Sequence, residues 1–318
     1  FGEYGFPESH AASFALLSYV TAWLKRHHHD EFTCALLNAW PMGFYQPSTL
    51  VEDAKRHGVE VRAVDVQRSA WECTLERVGG PHGHAVRMGL RFVKGLGERV
   101  RERLEAGPPP YADLADFARR TGLGKRPLIA LAEAGAFESL GHDRRRALWA
   151  IRGLLAHDRA GLDLAPPTAP ETLPRFRVLG DHEEVSWDYA TSLHSTRGHP
   201  MMRLRPTLAR RGVPDARTLN RMPARRRVTY VGMVICRQRP GTATGVTFMT
   251  LEDETGFVNL VIWADVFERH EAVARTAAVL EVDGELQSEH GVVHLIATAL
   301  REPRVRDLGE VPRSRDFH

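Results

Sequence analysis

Lys94-Gly95-Leu96-Gly97, with a second cation at Arg99, is the stretch of this chain best equipped to act on an anion. Glycine tolerates backbone conformations and close approaches that a Cβ forbids, so consecutive N–H groups can be aimed at one oxyanion. A helix opening at Glu98 would add its dipole and its unpaired first-turn N–H groups. Gly135-Ala136-Phe137, followed by Arg144-Arg145-Arg146, repeats the plan further along. The chemistry these residues suit is phosphate binding, which holds a polynucleotide by its backbone without reading bases.

Residues for bond-making chemistry are missing. Nucleotidyl transfer on two metal ions needs converging carboxylates, commonly Asp-x-Asp plus one more. The chain has no Asp-x-Asp. Glu252-Asp253-Glu254 falls in a predicted turn, and Asp181-His182-Glu183-Glu184 opens a predicted helix, where acidic side chains have ordinary structural uses. His27-His28-His29 reads as a solvated helix end, because consecutive histidines on a helix diverge and no Cys or further His stands at ligand spacing. No catalytic residue and no metal site is expected. Cys34, Cys73 and Cys236 lie far apart, which fits a reducing, cytoplasmic setting.

The elements that must position these residues follow from periodicity. Ser9 is placed to cap a helix over about His10–His27. Its apolar part, Ala11–Leu24, is about two-thirds of a membrane span and contains Ser13, Ser18 and Thr21, so it predicts a buried helix and no membrane association. Asp30 caps a second helix through about Trp40, and a third ends at Gly58. Val59–Val66 and Trp71–Arg77 alternate like strands. An apolar helix before Lys94 and the charged helix Glu98–Glu105 give helix, Gly-x-Gly turn, helix: the layout of a helix-hairpin-helix. Arg126–Ala134 and His142–Leu155 flank the Gly135 turn likewise, so residues 85–157 predict a tandem pair. A purely structural helical bundle would use glycine turns too. A Pro- and Ala-rich linker (158–176) and a helical connector (177–224) follow.

Residues 225–303 spell out five strands: Arg227–Gln238, Gly245–Asp253, Gly256–Trp263, Ala277–Gln287 and Val292–Leu300. A helix-like stretch, Ala264–Ala274, joins the third to the fourth. Five antiparallel strands with a helix at that place is the plan of the OB-fold, a barrel that often grips single-stranded nucleic acid. Arg237 and Arg239 flank its first turn. Phe257 shares a face with Asn259 and is expected to be an outward stacking platform, while Phe248, alternating with Val246 and Thr250, is expected in the core. Residues 304–318 read as a basic, extended tail. Residues 85–160 hold 15 Lys+Arg against 9 Asp+Glu, and residues 177–227 hold 11 against 5, so each segment is +6 while the whole chain is only +3. Basic segments beside folded modules suit a polyanion partner. A general surplus of Arg would look similar.

Tyr4-Gly5-Phe6-Pro7-Glu8-Ser9-His10-Ala11-Ala12-Ser13-Phe14-Ala15, then Tyr19, Ala22-Trp23-Leu24-Lys25 and Phe32, resemble the fingers domain of bacterial C-family DNA polymerases. Hairpins followed by an OB barrel is also that family's C-terminal order. Asn38 with Pro41-Met42-Gly43-Phe44-Tyr45, then Arg56-His57-Gly58-Val59-Glu60-Val61 and Asp65, is closer to the error-prone, translesion branch, as is the closing Ser314-Arg315-Asp316-Phe317.

The resemblance implies an α+β multidomain chain: a fingers fragment (1–84), a tandem helix-hairpin-helix and a five-stranded OB barrel. It implies that catalytic aspartates and their Mg²⁺ lie upstream, so the chain alone would be inactive. It places Ser9, His10 and Lys25 at the incoming nucleotide or primer-template junction, although Ser9 could serve only as a cap and Lys25 only as a helix-end cation. DNA, duplex and single-stranded, and a Y-family-like mutagenesis protein are the implied partners. Replicative relatives carry a Gln-rooted clamp peptide where this linker has Glu171-Thr172-Leu173-Pro174-Arg175-Phe176, which argues against direct sliding-clamp binding. A fragment of a replicative subunit and a free-standing nucleic-acid-binding accessory protein are the alternatives.

Overall fold

Buried apolar residues before position 177 gather in one cluster, and those after it mainly in two, one inside a barrel and a smaller one on its outside. The computed structural model describes residues 8–42, 46–80, 82–159, 176–240, 245–289, 291–303 and 315–317. It divides into a unit over Phe1–Phe176 and a unit over Arg177–His318. The expected linker (158–176) and basic tail (304–318) lie mostly outside the described residues.

In the first unit, α1 (Glu8–His27), α2 (His29–Asn38) and α3 (Pro47–Arg56) precede three short strands, β1 (Val61–Arg62), β2 (Thr74–Arg77) and β3 (His84–Arg87). β3 is central, parallel to β1 and antiparallel to β2. Four helices follow: α4 (Glu98–Ala106), α5 (Leu114–Thr121), α6 (Lys125–Glu133) and α7 (Arg144–Arg159). The core joins both parts: Leu37, Val51, Val86 and Met88 are buried in one cluster with Phe117, Leu131, Phe137 and Ile151. Phe117 meets Tyr111 and Phe137 edge-on, with ring centroids 4.9 and 5.2 Å apart. That geometry opposes the ring edge of one to the electron-rich face of the next.

Several helix expectations fail in this unit, among them Asp30, which lies in the first turn of α2 behind the N-cap His28. The apolar run before Lys94 is not a helix: it supplies β3 and a single 3₁₀ turn, Leu90–Phe92. Gly89 separates them, packed so tightly on the Trp71–Cys73 backbone that a Cβ would lie 2.4 Å from the Trp71 carbonyl oxygen. The helix α1 is not buried: Phe14, Leu16, Leu17, Tyr19 and Trp23 are all exposed. It also begins at Glu8, so Ser9 stands inside its first turn rather than at the cap. Among the described residues, no helix is long and apolar enough to cross a membrane.

Charge ties the small sheet together. Glu76 accepts from Arg87 Nε at 2.7 Å and also bonds Arg62. The Arg87 bond above all, helped by Arg62, holds the Glu76 carboxyl down at about 2. A carboxyl whose folded pKa is depressed contributes stability that is complete above its unfolded pKa and is lost as pH falls through the folded one. Glu76→Gln should therefore cost on the order of 2 kcal/mol at neutral pH. It should also flatten the dependence of melting temperature on pH between about 5 and 2. Thermal melts across that range check this; equal losses at pH 7 and pH 2 would assign the cost to packing instead.

In the second unit, α8 (Asp181–Ser192), α9 (Arg205–Arg210) and α10 (Ala216–Leu219) lead into the strands β4 (Arg227–Gln238), β5 (Thr247–Asp253), β6 (Gly256–Ile262), β7 (Val279–Glu289) and β8 (Val292–Arg301). Two short helices, α11 (Ala264–Arg269) and α12 (Glu271–Thr276), bridge β6 to β7. The order β5-β6-β8-β7-β4 closes on itself through the β5–β4 pairing, which makes a five-stranded barrel. It is mixed rather than wholly antiparallel, because the helical crossover after β6 brings β8 alongside it in parallel. A last strand, β9 (Arg315–Phe317), pairs in parallel with Cys236–Gln238, so the end of the tail adds to the sheet.

β4 reads as a near-continuous apolar run because both its faces are covered. Tyr230 and Val234 fill the barrel with Leu251, Leu260, Leu280 and Leu295. Val231 and Met233 instead pack outward against Met201, Leu204 and Leu208 of the connector.

Candidate nucleic-acid interface

The first glycine turn forms as expected. Gly95 has φ +85°, a conformation that costs other residues a Cβ clash, and Gly97 caps α4 in an extended conformation. Lys94, Gly95, Gly97 and Arg99 are exposed and Leu96 is partly buried, so the turn faces solvent on one side and the core on the other.

The second turn lies one helix earlier than the sequence pattern suggests. Between α5 and α6 stand Gly122-Leu123-Gly124, the same tripeptide as Gly95-Leu96-Gly97. Gly122 is left-handed at φ +57°, Gly124 caps α6 in an extended conformation, and Leu123 is buried like an anchor. Gly122, Gly124, Lys125 and Arg126 are exposed. Arg103 of α4 donates to the Gly122 carbonyl, which ties the helix of the first hairpin to the turn of the second. A signal for it exists in the sequence: Gly-Leu-Gly recurs, each time with an Arg two residues on, at Arg99 and Arg126.

Gly135 and Arg144 are corrected accordingly. Gly135 is buried, and a Cβ there would lie 3.1 Å from the Arg144 guanidinium. Arg144 itself is only 1% exposed, so it braces the turn from inside and cannot reach a phosphate. Of the three arginines, Arg145 is partly buried and Arg146 is exposed, with Nε 3.3 Å from Asp143.

On the barrel one of the two phenylalanines departs from its expected place: Phe248 is outside, while Phe257 keeps the face of Asn259. Phe248 is 38% exposed, while its neighbours Thr247 and Met249 are buried. Phe257 is only partly buried, at the β5–β6 turn, where its carbonyl accepts from Asn220. Strand pairing explains this. Phe248 lies opposite Val261, Thr250 opposite Asn259, and Asn259 and Val261 opposite His294 and Ile296. These residues share the outer face of three strands, and Trp263, 53% exposed, stands just beyond the end of β6. Alternation alone leaves the phase of β5 open, and Met249 rather than Phe248 fills the interior.

Arg237 is also corrected: its guanidinium donates to the Ala274 carbonyl at 2.7 Å and to that of Ala277, which fastens α12 to the barrel. Arg239 is exposed, with its guanidinium 5.0 Å over the Phe267 ring. Near the N-terminus, His10 is exposed, its ring tilted at 57° to that of Phe14 with centroids 4.5 Å apart, and Ser9's side chain lies outside the described residues. Lys25 forms an ion pair with Asp53 at 2.8 Å. The histidine run divides: His27 and His28 are exposed, but His29 is 5% exposed and stacks on His57 at 4.5 Å, so it is no solvated helix end.

The carboxylates of Glu252 and Asp253 do not form an open site for a pair of Mg²⁺ ions. Glu252 and Asp253 are fully buried, and Asp253 is taken up by Arg205 and by backbone N–H groups.

Comparison with known proteins agrees with this geometry. A profile described as a helix-hairpin-helix motif matches residues 58–147, and one described as an OB-fold nucleic acid binding domain matches residues 228–303. The error-prone DNA polymerase of Azoarcus sp. (strain BH72) is 48% identical over 326 residues, covering 100% of this chain and 30% of that protein. That of Pseudomonas syringae pv. tomato (strain ATCC BAA-871 / DC3000) is 46% identical, covering 100% of this chain and 31% of the relative. That of Methylococcus capsulatus (strain ATCC 33009 / NCIMB 11132 / Bath) is 44% identical, covering 100% and 32%. The chain is thus similar over its whole length to error-prone DNA polymerases and spans under a third of the length of these relatives.

Proposed function

We propose that this chain is the DNA-gripping part of an error-prone DNA polymerase that works in damage-induced synthesis. Its two glycine hairpins hold the duplex by its phosphates, and the outer face of its barrel takes the single-stranded template. The observation that carries the reading is the repeated Gly-Leu-Gly turn, exposed each time at the start of a helix and followed by exposed cations. Backbone N–H groups at such a turn and the helix dipole both favour a phosphate oxygen. On this reading nucleotidyl transfer and its Mg²⁺ belong to another part of the polymerase, and a Y-family-like mutagenesis protein works alongside it. The purified chain should then incorporate no dNTP in the presence of Mg²⁺; incorporation would overturn that part of the proposal.

The test of the grip is salt dependence. Each phosphate contact releases counterions, so log K falls with log salt by about 0.9 per contact. Replacing Lys125 and Arg126 together by Ala should weaken duplex binding for every sequence alike and flatten that slope by about 2. Arg144→Ala should lower melting temperature and leave the slope unchanged, because Arg144 is internal. An unaltered slope in the double variant would make Lys125 and Arg126 a merely solvated helix end.

A further inference from the structure

The side chains of His29, Asp53 and His57 converge where α1, α2 and α3 meet. One ligand atom from each lies within 4.8 Å of the others. The tautomers are fixed by main-chain carbonyls, which can only accept. His29 Nδ1 faces the Lys25 carbonyl at 3.0 Å, and His57 Nδ1 faces the Asp53 carbonyl at 2.8 Å. Both rings therefore carry their proton on Nδ1 and keep a lone pair on Nε2. An imidazole held by a backbone carbonyl through one nitrogen, with the other left bare, is the outer-shell arrangement of a metal-binding histidine.

The electrostatics point the same way. His29 Nε2 lies 3.4 Å from Asp53 Oδ2, so a lone pair and a carboxylate oxygen face each other unless a cation stands near. Lys25 is the cation at hand, with Nζ 2.8 Å from the same oxygen. It is 44% exposed on a flexible stem and can swing into solvent. The 3.4 Å separation is close to that of two ligands on one tetrahedral ion with bonds of about 2.0–2.1 Å. His57 is half-exposed at the rim, so an ion can enter from solvent.

We propose that His29 Nε2, the His57 imidazole and an Asp53 carboxylate oxygen bind one divalent transition-metal ion of the zinc class, with Lys25 released from Asp53 as the ion enters. Two imidazoles and one carboxylate suit such an ion better than Mg²⁺ or Ca²⁺, which prefer all-oxygen sites. Three protein ligands leave the fourth position to water. The ion fastens the start of α2 to the end of α3, while His29 Nδ1 stays on the Lys25 carbonyl of α1. A second group, Asp30, Glu31 and His84, is closed on itself: Asp30 Oδ2 accepts from both the main-chain N–H and Nδ1 of His84 at 3.1 Å.

The experiment is titration of the chelator-treated chain with Zn²⁺ by calorimetry, and with Co²⁺ by visible absorption. One equivalent should bind, with the intense d–d bands of four-coordinate Co²⁺. His29→Asn and His57→Asn should each weaken Zn²⁺ binding tenfold or more. His84→Asn should leave it unchanged. Lys25→Met removes the competing cation and should tighten binding several-fold, a result that an ion pair with a purely structural role would not give. His57 is exposed, so His57→Asn keeps the test valid even if His29→Asn fails to fold. Absence of binding, or binding that survives in His57→Asn and ignores Lys25→Met, would overturn the site and assign any residual ion to the exposed histidines.

Discussion

Asp253→Ala should cost the second unit about 3–5 kcal/mol, well above the loss expected of Glu76→Gln in the first. Asp253 is fully buried. Its Oδ2 accepts from Arg205 Nη2 at 2.9 Å and from the Ala216 N–H at 2.8 Å, while Oδ1 accepts from the N–H and the hydroxyl of Thr255, both at 2.8 Å. Truncation leaves four donors without this acceptor, one of them a mostly buried guanidinium held otherwise by Glu254. Replacing one member of a buried ion pair costs more than the pair contributes, because the surviving charge stays desolvated. For a unit of this size the melting temperature should fall by about 10 °C. Asp253→Asn keeps two acceptor lone pairs and the volume, and should lose roughly half as much. Circular-dichroism melts decide this: a shift of only 1–2 °C for Asp253→Ala would show that the turn and connector hold without their shared carboxylate.

Phe248→Ala combined with Trp263→Ala should lower the affinity of the barrel for oligo(dT) by about two orders of magnitude. Base stacking on an aromatic side chain contributes about 1–3 kcal/mol per base, and 1.4 kcal/mol is tenfold in affinity. Both rings are exposed, so neither change should open a cavity, and the melting temperature should move little. Phe257→Ala, at the strand turn, should weaken binding much less. Fluorescence anisotropy with a labelled oligonucleotide gives the affinities. If the double variant binds oligo(dT) as the parent does, the outer face of β5 and β6 is not the single-strand surface. If it melts far below the parent, the two rings are core residues.

Much of this protein is fixed by local pattern. Alternation and turn residues place all five barrel strands nearly where they occur, since period-two burial and Gly-rich turns act over a few residues. The glycine turn at Gly95–Gly97 is equally legible, because a left-handed backbone beside a charged helix needs no distant partner.

Tertiary structure decided everything that depends on what lies opposite a residue. Phe248 sits in an alternating strand, and only the pairing of β5 with β4 and β6 determines that Met249 and not Phe248 faces inward. Two hairpin turns were available to the sequence, Gly122–Gly124 and Gly135–Phe137, both glycine-bearing and both near cations. Only packing shows that the latter is folded over a buried Arg144, which leaves the former open to solvent. The apolar run before Lys94 has helical periodicity, yet it becomes a strand because β1 and β2 present edges that it can join. His29 and His57 stand 28 positions apart, on no recognisable ligand spacing, and meet because α2 and α3 pack together. Sequence determines the elements through interactions within a few residues. Packing between distant elements determines which side chains reach solvent, and so which of them can meet DNA or a metal ion.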